Sequence, residues 1–427
     1  MDLFLICFRN LYIRNYIIKY LRLYNNTYRY SYLANFKYPN QLNTLDPFSE
    51  YITHLNLVSI FDPKGLSLKS IKYTFPNLEH LLLPSIFNDV IKVQDFGNRL
   101  KSIVFGDDFN NESFSSTGNE NNGLVLPMGL EKVEFGFKFN KEISKGTLPS
   151  SLKSLVFGYS WNLALDKLNI PDQLEILKFG RGFERKLGGV KLPSGLKSLV
   201  IKSNVVIHEN VLPIGLKELR LLDKYNSPFK TANVIPSTLE YLEVGNSFNQ
   251  DLSIALSSLK SLRVLRLGDE YNIKLRKGSL PPSLTNIEFG NYVHLLEPGV
   301  IPHSVTDITF KDSFSDKRLL SILVPGSLPP VVEFKMGHYF NIPIAPSVLP
   351  STIKSLNFSD NFKTKLEDYS IPSSVEKLVF CSDFNQNLPI LPSSLKILKL
   401  GHSFKKKLNI GSLPYGLTYL SMSSYEF

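Results

Sequence analysis

The chain is poor in several things that would otherwise direct its reading. Its 427 residues include only two cysteines, Cys7 and Cys381, and one tryptophan. Two thiols cannot build a disulfide framework, nor a zinc site that needs several cysteines. The seven histidines stand at 54, 80, 208, 294, 303, 338 and 402, with no metal-site spacing on a helix and no His-Glu-x-x-His. A P-loop and a Gly-x-Ser-x-Gly elbow are both missing. Gly180-x-Gly182 continues to Arg185 where the dinucleotide fingerprint requires a third glycine. The sequence therefore offers no catalytic, metal or cofactor residues, and a non-enzymatic protein without cofactors is expected. No run reaches the roughly 18 apolar residues of a membrane-spanning helix. The start, Met1-Asp2-Leu3-Phe4, lacks the basic segment, long apolar run and small-residue cleavage site of a secretory signal. The cytoplasm is the expected compartment.

What is present is apolar and repetitive. Hydrophobic residues make up 43% of the chain, and 30 Phe and 20 Tyr accompany the single Trp. That is ample core material, and it excludes a wholly disordered chain. Lys plus Arg is 48 and Asp plus Glu is 38, a net charge of +10 that is mild for this length. It does not mark a nucleic-acid binder.

Internal repetition dominates. Leu148-Pro149-Ser150-Ser151-Leu152-Lys153-Ser154-Leu155-Val156-Phe157-Gly158 returns as Leu192-Pro193-Ser194-Gly195-Leu196-Lys197-Ser198-Leu199-Val200-Ile201. It returns again as Leu391-Pro392-Ser393-Ser394-Leu395-Lys396-Ile397-Leu398-Lys399-Leu400-Gly401. Most steps between corresponding prolines are 20 to 23 residues; the 45-residue step from Pro236 to Pro281 hides one coil without its Pro. The spacing Leu-x-x-Leu-x-Leu continues upstream without Pro to Ile52. About 17 coils are expected in all.

Leu155-x-Phe157 alternates with period two, so these side chains point inward while Ser154 and Val156 point outward. A glycine closes most strands, and three residues later an aromatic recurs, as in Phe139, Trp161, Phe183, Phe248 and Phe384. One coil cannot bury its own apolar face, but stacked coils can. The expected fold is mainly β: a right-handed solenoid of coils of about 22 residues with one parallel sheet, the aromatics stacking as an internal ladder. Asn follows the aromatic at 110, 140, 162, 226, 249, 272, 341 and 385. One residue type at one phase suits an Asn side chain that closes a turn on its own backbone rather than a polar binding strip. The segment Gly106 to Gly123, rich in Asn, Ser and Glu, reads as a disordered loop.

These residues closely resemble the FNIP repeat, named for Phe-Asn-Ile-Pro, which Phe340-Asn341-Ile342-Pro343 spells outright. Phe384-Asn385-Gln386-Asn387-Leu388-Pro389 and Phe248-Asn249-Gln250-Asp251-Leu252 are near versions. The resemblance covers roughly residues 95 to 427 and implies a fold related to leucine-rich repeats and an interaction surface without catalysis. Residues 1–45 differ in kind, with no Pro or Gly before Pro39. Phe8, Leu11, Tyr12, Tyr16, Ile17, Tyr20, Leu21 and Tyr24 fit one or two amphipathic helices, so a helical cap on a solenoid over 46–427 is expected. The segment Arg9-Asn10-Leu11-Tyr12-Ile13-Arg14-Asn15 also resembles the leader of FNIP arrays, some of which begin with an F-box that docks a ubiquitin-ligase adaptor. A clear Leu-Pro F-box start is missing here. That resemblance makes the substrate receptor of a cullin-type ligase the alternative to a protein-interaction scaffold.

Two surface patterns are candidate sites. The position between the two inward residues reads Glu134, Val156, Lys178, Val200, Arg220, Glu243, Arg266, Glu288, Thr309, Glu333, Asn357, Val379, Lys399 and Ser421. Its mixed charge argues against a phosphate-backbone groove. Arg220, Glu243, Arg266 and Glu288 alternate in sign on neighbouring coils, so they either pair with each other or recognise a charged protein partner. Secondly, Arg185, Lys186, Lys274, Lys363, Lys365, Lys405, Lys406 and Lys407 fall one to four residues after the aromatic, at similar phase. They form either a solubilising surface or a basic ridge for an acidic protein, anionic lipid or RNA. A monomer with a protein partner is expected.

Overall fold

The computed structural model describes residues 52–58, 66–92, 95–115, 126–188, 191–311, 323–336, 340–341, 343–358 and 362–422. The expected helical cap and F-box-like leader over residues 1–45 lie outside them. The chain divides into two compact units: the first is Met1–Arg185 with Pro193–Leu196, and the second is Lys186–Leu192 with Lys197–Phe427.

The first unit carries β1 (His54–Asn56), β2 (His80–Leu82), β3 (Ser102–Val104), β4 (Lys132–Glu134), β5 (Ser154–Val156) and β6 (Ile176–Phe179). Each pairs in parallel with the next. The second unit repeats the arrangement with β7 (Ser198–Ile201), β8 (Glu218–Leu221), β9 (Tyr241–Val244), β10 (Val264–Arg266), β11 (Asn286–Phe289) and β12 (Asp307–Phe310). It continues with β13 (Glu333–Lys335), β14 (Ser355–Asn357), β15 (Lys377–Val379), β16 (Ile397–Lys399) and β17 (Tyr419–Ser421), again parallel between successive strands. One short strand per coil, in parallel register, is the leucine-rich-repeat-like solenoid that the repeat demands.

Two turns shape each coil. The Pro carbonyl accepts the N–H of the Leu three residues on, as in Leu130 to Pro127 (2.9 Å) and Leu152 to Pro149 (3.1 Å). The residue closing the strand accepts in the same way from the aromatic, as in Phe248 to Gly245 and Phe404 to Gly401, both 3.1 Å. A proline lacking its own N–H and a residue that brings neighbouring coils close thus punctuate most repeats. The glycines are required by crowding: a Cβ on Gly158 would lie 1.9 Å from the Gly136 carbonyl oxygen, and one on Gly268 would lie 2.0 Å from that of Gly245.

Both α-helices found among the described residues fall in coils that lack the Pro. Helix α1 (Leu68–Thr74) is capped by Ser67, whose hydroxyl accepts from the Ser70 N–H, and it buries Leu68 and Ile71. Helix α2 (Ser253–Leu256) occupies the coil between Pro236 and Pro281 and buries Ala255 and Leu256. Without the fixed turn, the same stretch of chain is free to close i→i+4 bonds.

The core lies between the strands and the aromatic turns. Leu155 is fully buried and Phe157 nearly so. In the first unit the rings stack within and between coils: Phe135 on Phe139 at 3.9 Å, Phe135 on Phe157 at 5.7 Å, Phe157 on Trp161 at 4.0 Å and Trp161 on Phe183 at 5.6 Å. In the second, Tyr225, Phe248 and Tyr271 follow at 6.0 and 6.2 Å, and Phe384 lies 6.1 Å from Phe404. Such pairs contribute about 0.5–1.5 kcal/mol beyond their buried area.

Three sequence-based expectations are corrected. Gly106 to Ser115 is ordered, with a 3-10 turn at Glu112–Phe114, and the remainder of the segment to Gly123 lies outside the described residues. Its buried Phe114 packs edge-on to Phe105, Phe109, Phe135 and Phe139, so one apolar ring outweighs the polar composition around it. Second, the repeating Asn does not close its own turn. Its Oδ1 accepts a backbone N–H of the following coil: the Asn140 N–H donates to Asn110 Oδ1, the Asn162 N–H to Asn140 Oδ1 and the Glu184 N–H to Asn162 Oδ1, at 2.9–3.0 Å. Asn204, Asn226, Asn249 and Asn272 form a second such series. Third, in the lengthened coil the residue between the inward pair is Lys335, opposite Thr309, and not Glu333, which stands opposite Asp307.

Candidate interaction surface

Backbone alternation points one side of every strand away from the core, and in the second unit strands β8 to β12 gather charge there. Register places Arg220 opposite Glu243, and Glu243 opposite Arg266, on β8, β9 and β10; Glu288 follows opposite Arg266 on β11. The four residues expected from sign alternation are therefore brought together. Arg220 Nη1 lies 3.6 Å from Glu243 Oε2, and Arg266 Nε lies 3.3 Å from Glu288 Oε2.

Three residues missed by following a single outward column complete the network. Glu218 takes the Arg220 Nε–H at 2.5 Å, and Lys311 Nζ reaches Glu288 Oε1 at 3.1 Å. Tyr241, two residues before Glu243 on the same strand, donates its hydroxyl to Glu243 Oε2 at 2.8 Å. Its ring lies beneath both guanidiniums, 4.9 Å from Arg220 Cζ and 5.6 Å from Arg266 Cζ. An aromatic flanked on adjacent strands by two arginines was the signal available in the sequence.

The electrostatics follow from this packing. Partial burial, reinforced by the bond to Glu243, pushes the Tyr241 phenol up to about 12. Burial opposes the Arg220 charge, but the Glu218 bond and the nearby Tyr241 and Glu243 hold its pKa above the ordinary value. Three cations face three carboxylates, so the patch is neutral as a whole but strongly patterned. Each partly exposed pair contributes only about 0–1 kcal/mol, yet shared partners hold the side chains in one arrangement.

The eight basic residues differ in their surroundings. Arg185, in the first unit, donates its Nε–H to the Asn162 carbonyl at 2.9 Å. It also lines a cavity of about 440 Å³ with Lys145, Trp161, Leu163 and Leu168. In the second unit Lys186 is exposed, and Lys274 is neutralised by Glu297 at 2.8 Å. Lys363, Lys365, Lys405, Lys406 and Lys407 are all exposed. Among the described residues no group of three or more His, Cys, Asp or Glu could hold a metal ion. Among them, too, no helix is long and apolar enough to cross a membrane.

Comparison with known proteins agrees with this architecture. An FNIP repeat-containing protein of Dictyostelium discoideum is 31% identical over 172 residues, which is 39% of this chain and 42% of that protein. The crystal structure of CroV588, described as a novel circular LRR protein, superposes with a TM-score of 0.66 at 30% identity, over 81% of this chain and 56% of that one. The chain thus matches about half the length of each. The FNIP Repeat profile matches residues 121–160, 139–182, 204–247, 248–292, 320–360, 340–383 and 384–425. With more than half of its length matched in this way, and with glycine, aromatic and asparagine rungs at one phase from coil to coil, the chain belongs to the FNIP repeat family.

Proposed function

We propose that this protein is a non-catalytic interaction scaffold that holds a protein partner on the outward face of strands β8 to β12. The observation that carries the reading is the Arg220–Tyr241–Arg266 stack, fixed between Glu218, Glu243 and Glu288. Tyr and Arg concentrate binding energy at protein interfaces because they offer large, preorganised contact area with few rotamers to freeze. Here both residue types stand on strands, the rigid part of the fold, which is where a precise recognition surface is best built. Mixed charge in a fixed pattern selects a partner of complementary pattern and rejects a uniformly charged one. A phosphate backbone, which favours uniformly positive grooves, fits it poorly.

The test is affinity purification with mass spectrometry, comparing the natural chain with Tyr241→Ser and with Glu134→Gln on the same face of the first unit. Partners that bind through the stack are lost with Tyr241→Ser and kept with Glu134→Gln. An unchanged set of partners in both variants removes the stack from the binding face.

A further inference from the structure

On another edge of the second unit, cationic and apolar side chains stand together in a way the strand face does not share. Lys363 and Lys365 follow the buried Phe362, and Lys405, Lys406 and Lys407 follow the buried Phe404. Register ties them to one phase. The Lys363 N–H donates to Asn341 Oδ1 at 2.8 Å and the Lys405 N–H to Asn385 Oδ1 at 3.0 Å, so these residues occupy equivalent rungs.

Several lysines elsewhere in this unit have counterions: Lys217 meets Glu240, Lys274 meets Glu297, and Lys354 and Lys396 share Glu376. Among the described residues, no carboxylate forms an ion pair with Lys363, Lys365, Lys405, Lys406 or Lys407. From residue 384 to residue 422 the chain contains five lysines and neither Asp nor Glu.

A few residues further round, these two coils and the coil between them turn apolar side chains outward. Tyr369 is 72% exposed, Ile390 54% and Ile410 108%. The Ile390 N–H donates to Asp368 Oδ1 at 3.0 Å, which seats Ile390 beside the Asp368–Tyr369 corner of the coil before it. The edge therefore presents ammonium groups that have no ion pair among the described residues and, a few residues on, a short row of exposed apolar side chains.

We propose that this edge docks peripherally on an anionic lipid bilayer. Lysines attract anionic headgroups within a Debye length of the surface, and apolar side chains gain by entering the headgroup–acyl boundary. Tyrosine suits that boundary because its ring is apolar and its hydroxyl polar. An acidic polypeptide or an RNA would use the lysines but would leave Ile390 and Ile410 unexplained. Single-stranded RNA would also want a series of stacking aromatics, and Tyr369 is the one aromatic among these three side chains. Glu367, exposed on the same edge, opposes the attraction.

The experiment is vesicle co-sedimentation of the full chain in about 0.1 M salt, with phosphatidylcholine alone or with about 30% phosphatidylserine. Binding is expected only to the anionic vesicles. Lys405→Gln/Lys406→Gln/Lys407→Gln should lower partitioning roughly a hundredfold, at about fivefold per lysine. Ile390→Ser should lower it several-fold with every charge intact, and Glu367→Gln should raise it a few-fold. All of these side chains are exposed, and an unchanged melting temperature verifies each variant. Two results overturn the proposal. One is the absence of phosphatidylserine-dependent binding. The other is binding that ignores Ile390→Ser while poly-glutamate or poly(U) RNA competes fully, which would assign the lysines to an acidic protein or to RNA.

Discussion

Replacing Gly158 by alanine places a Cβ 1.9 Å from the Gly136 oxygen, 2.5 Å from its carbonyl carbon and 3.0 Å from the Phe135 oxygen. Ordinary contact begins near 3.4 Å, so the neighbouring coils must part by about 1.5 Å. That strains bonds across this junction such as Phe135 N–H to Val156 O and Ser160 N–H to Phe137 O, both 2.9 Å. Two weakened bonds at about 1 kcal/mol each, with overpacking strain of about 1–3 kcal/mol, give a loss of roughly 3–5 kcal/mol. Two other glycines separate crowding from backbone freedom. Gly146 has φ +87° and nothing within 4 Å of its Cβ position, so Gly146→Ala pays only for left-handed backbone, about 1–2 kcal/mol. Gly97 has open space and no left-handed φ, so Gly97→Ala should be neutral or stabilise by up to about 1 kcal/mol. Hydrogen exchange followed by mass spectrometry is the assay, because a repeat array opens locally and one global unfolding energy is ill defined. Protection should fall around β4 to β6 in Gly158→Ala and stay near natural values in Gly97→Ala. If the two variants behave alike, close coil contact is not what selects glycine there.

Three further outcomes follow from the same structure. Asn140→Ala removes the acceptor of the Asn162 N–H and should cost about 1 kcal/mol locally, while Asn140→Asp, which keeps that oxygen, should cost much less by the same exchange measurement. His80 stacks on His54 with ring centroids 4.1 Å apart, and burial first, then the His54 charge, lowers its pKa from 6.5, with Lys101 also lowering it and Glu79 and Glu131 opposing. The unfolded chain then binds the His80 proton more readily, so this contribution is complete above about pH 6.5 and lost as pH falls below it; melting curves from pH 7.5 to 5 should show a slope that His80→Gln flattens. Tyr241 should ionise near pH 12 in an ultraviolet titration of the folded chain, and Glu243→Gln should bring its midpoint down towards 10.

The strands were legible because burial alone sets their period. Leu155 and Phe157 had to face one way, and nothing in the fold competes with that demand. Asn was legible as structural at its fixed phase, but its partner was not. A side chain that bonds its own turn and one that bonds the next coil leave the same trace at one repeat position. Helix α1 went unread because its signal is the absence of a proline, which weighs little until the turn that proline closes has been seen. The register slip at Lys335 has a similar origin: the coil before it is longer, and Glu333-Phe334-Lys335 alternates acceptably in either phase. On the candidate surface, alternation of sign was sufficient to find Arg220, Glu243, Arg266 and Glu288. Tyr241 required reading two outward columns together, because its contacts run diagonally between strands.

The asparagine rungs have a consequence for how such a chain can change length. Within a series each rung takes a donor from the coil that follows and gives one to the coil before, so the repeats that carry the Asn share the same two sockets. A duplicated or deleted repeat meets neighbours bearing the same fittings, and the join re-forms without a special sequence. The span from Asn110 to Asn140 is 30 residues where most are 22 or 23, and the bond still forms. Extra residues are thus absorbed between rungs, provided that the next Asn returns to phase. Unequal recombination between repeats is in this way a conservative event: it lengthens or shortens the array by whole units, while each surviving coil keeps its own outward side chains to be tried against new partners.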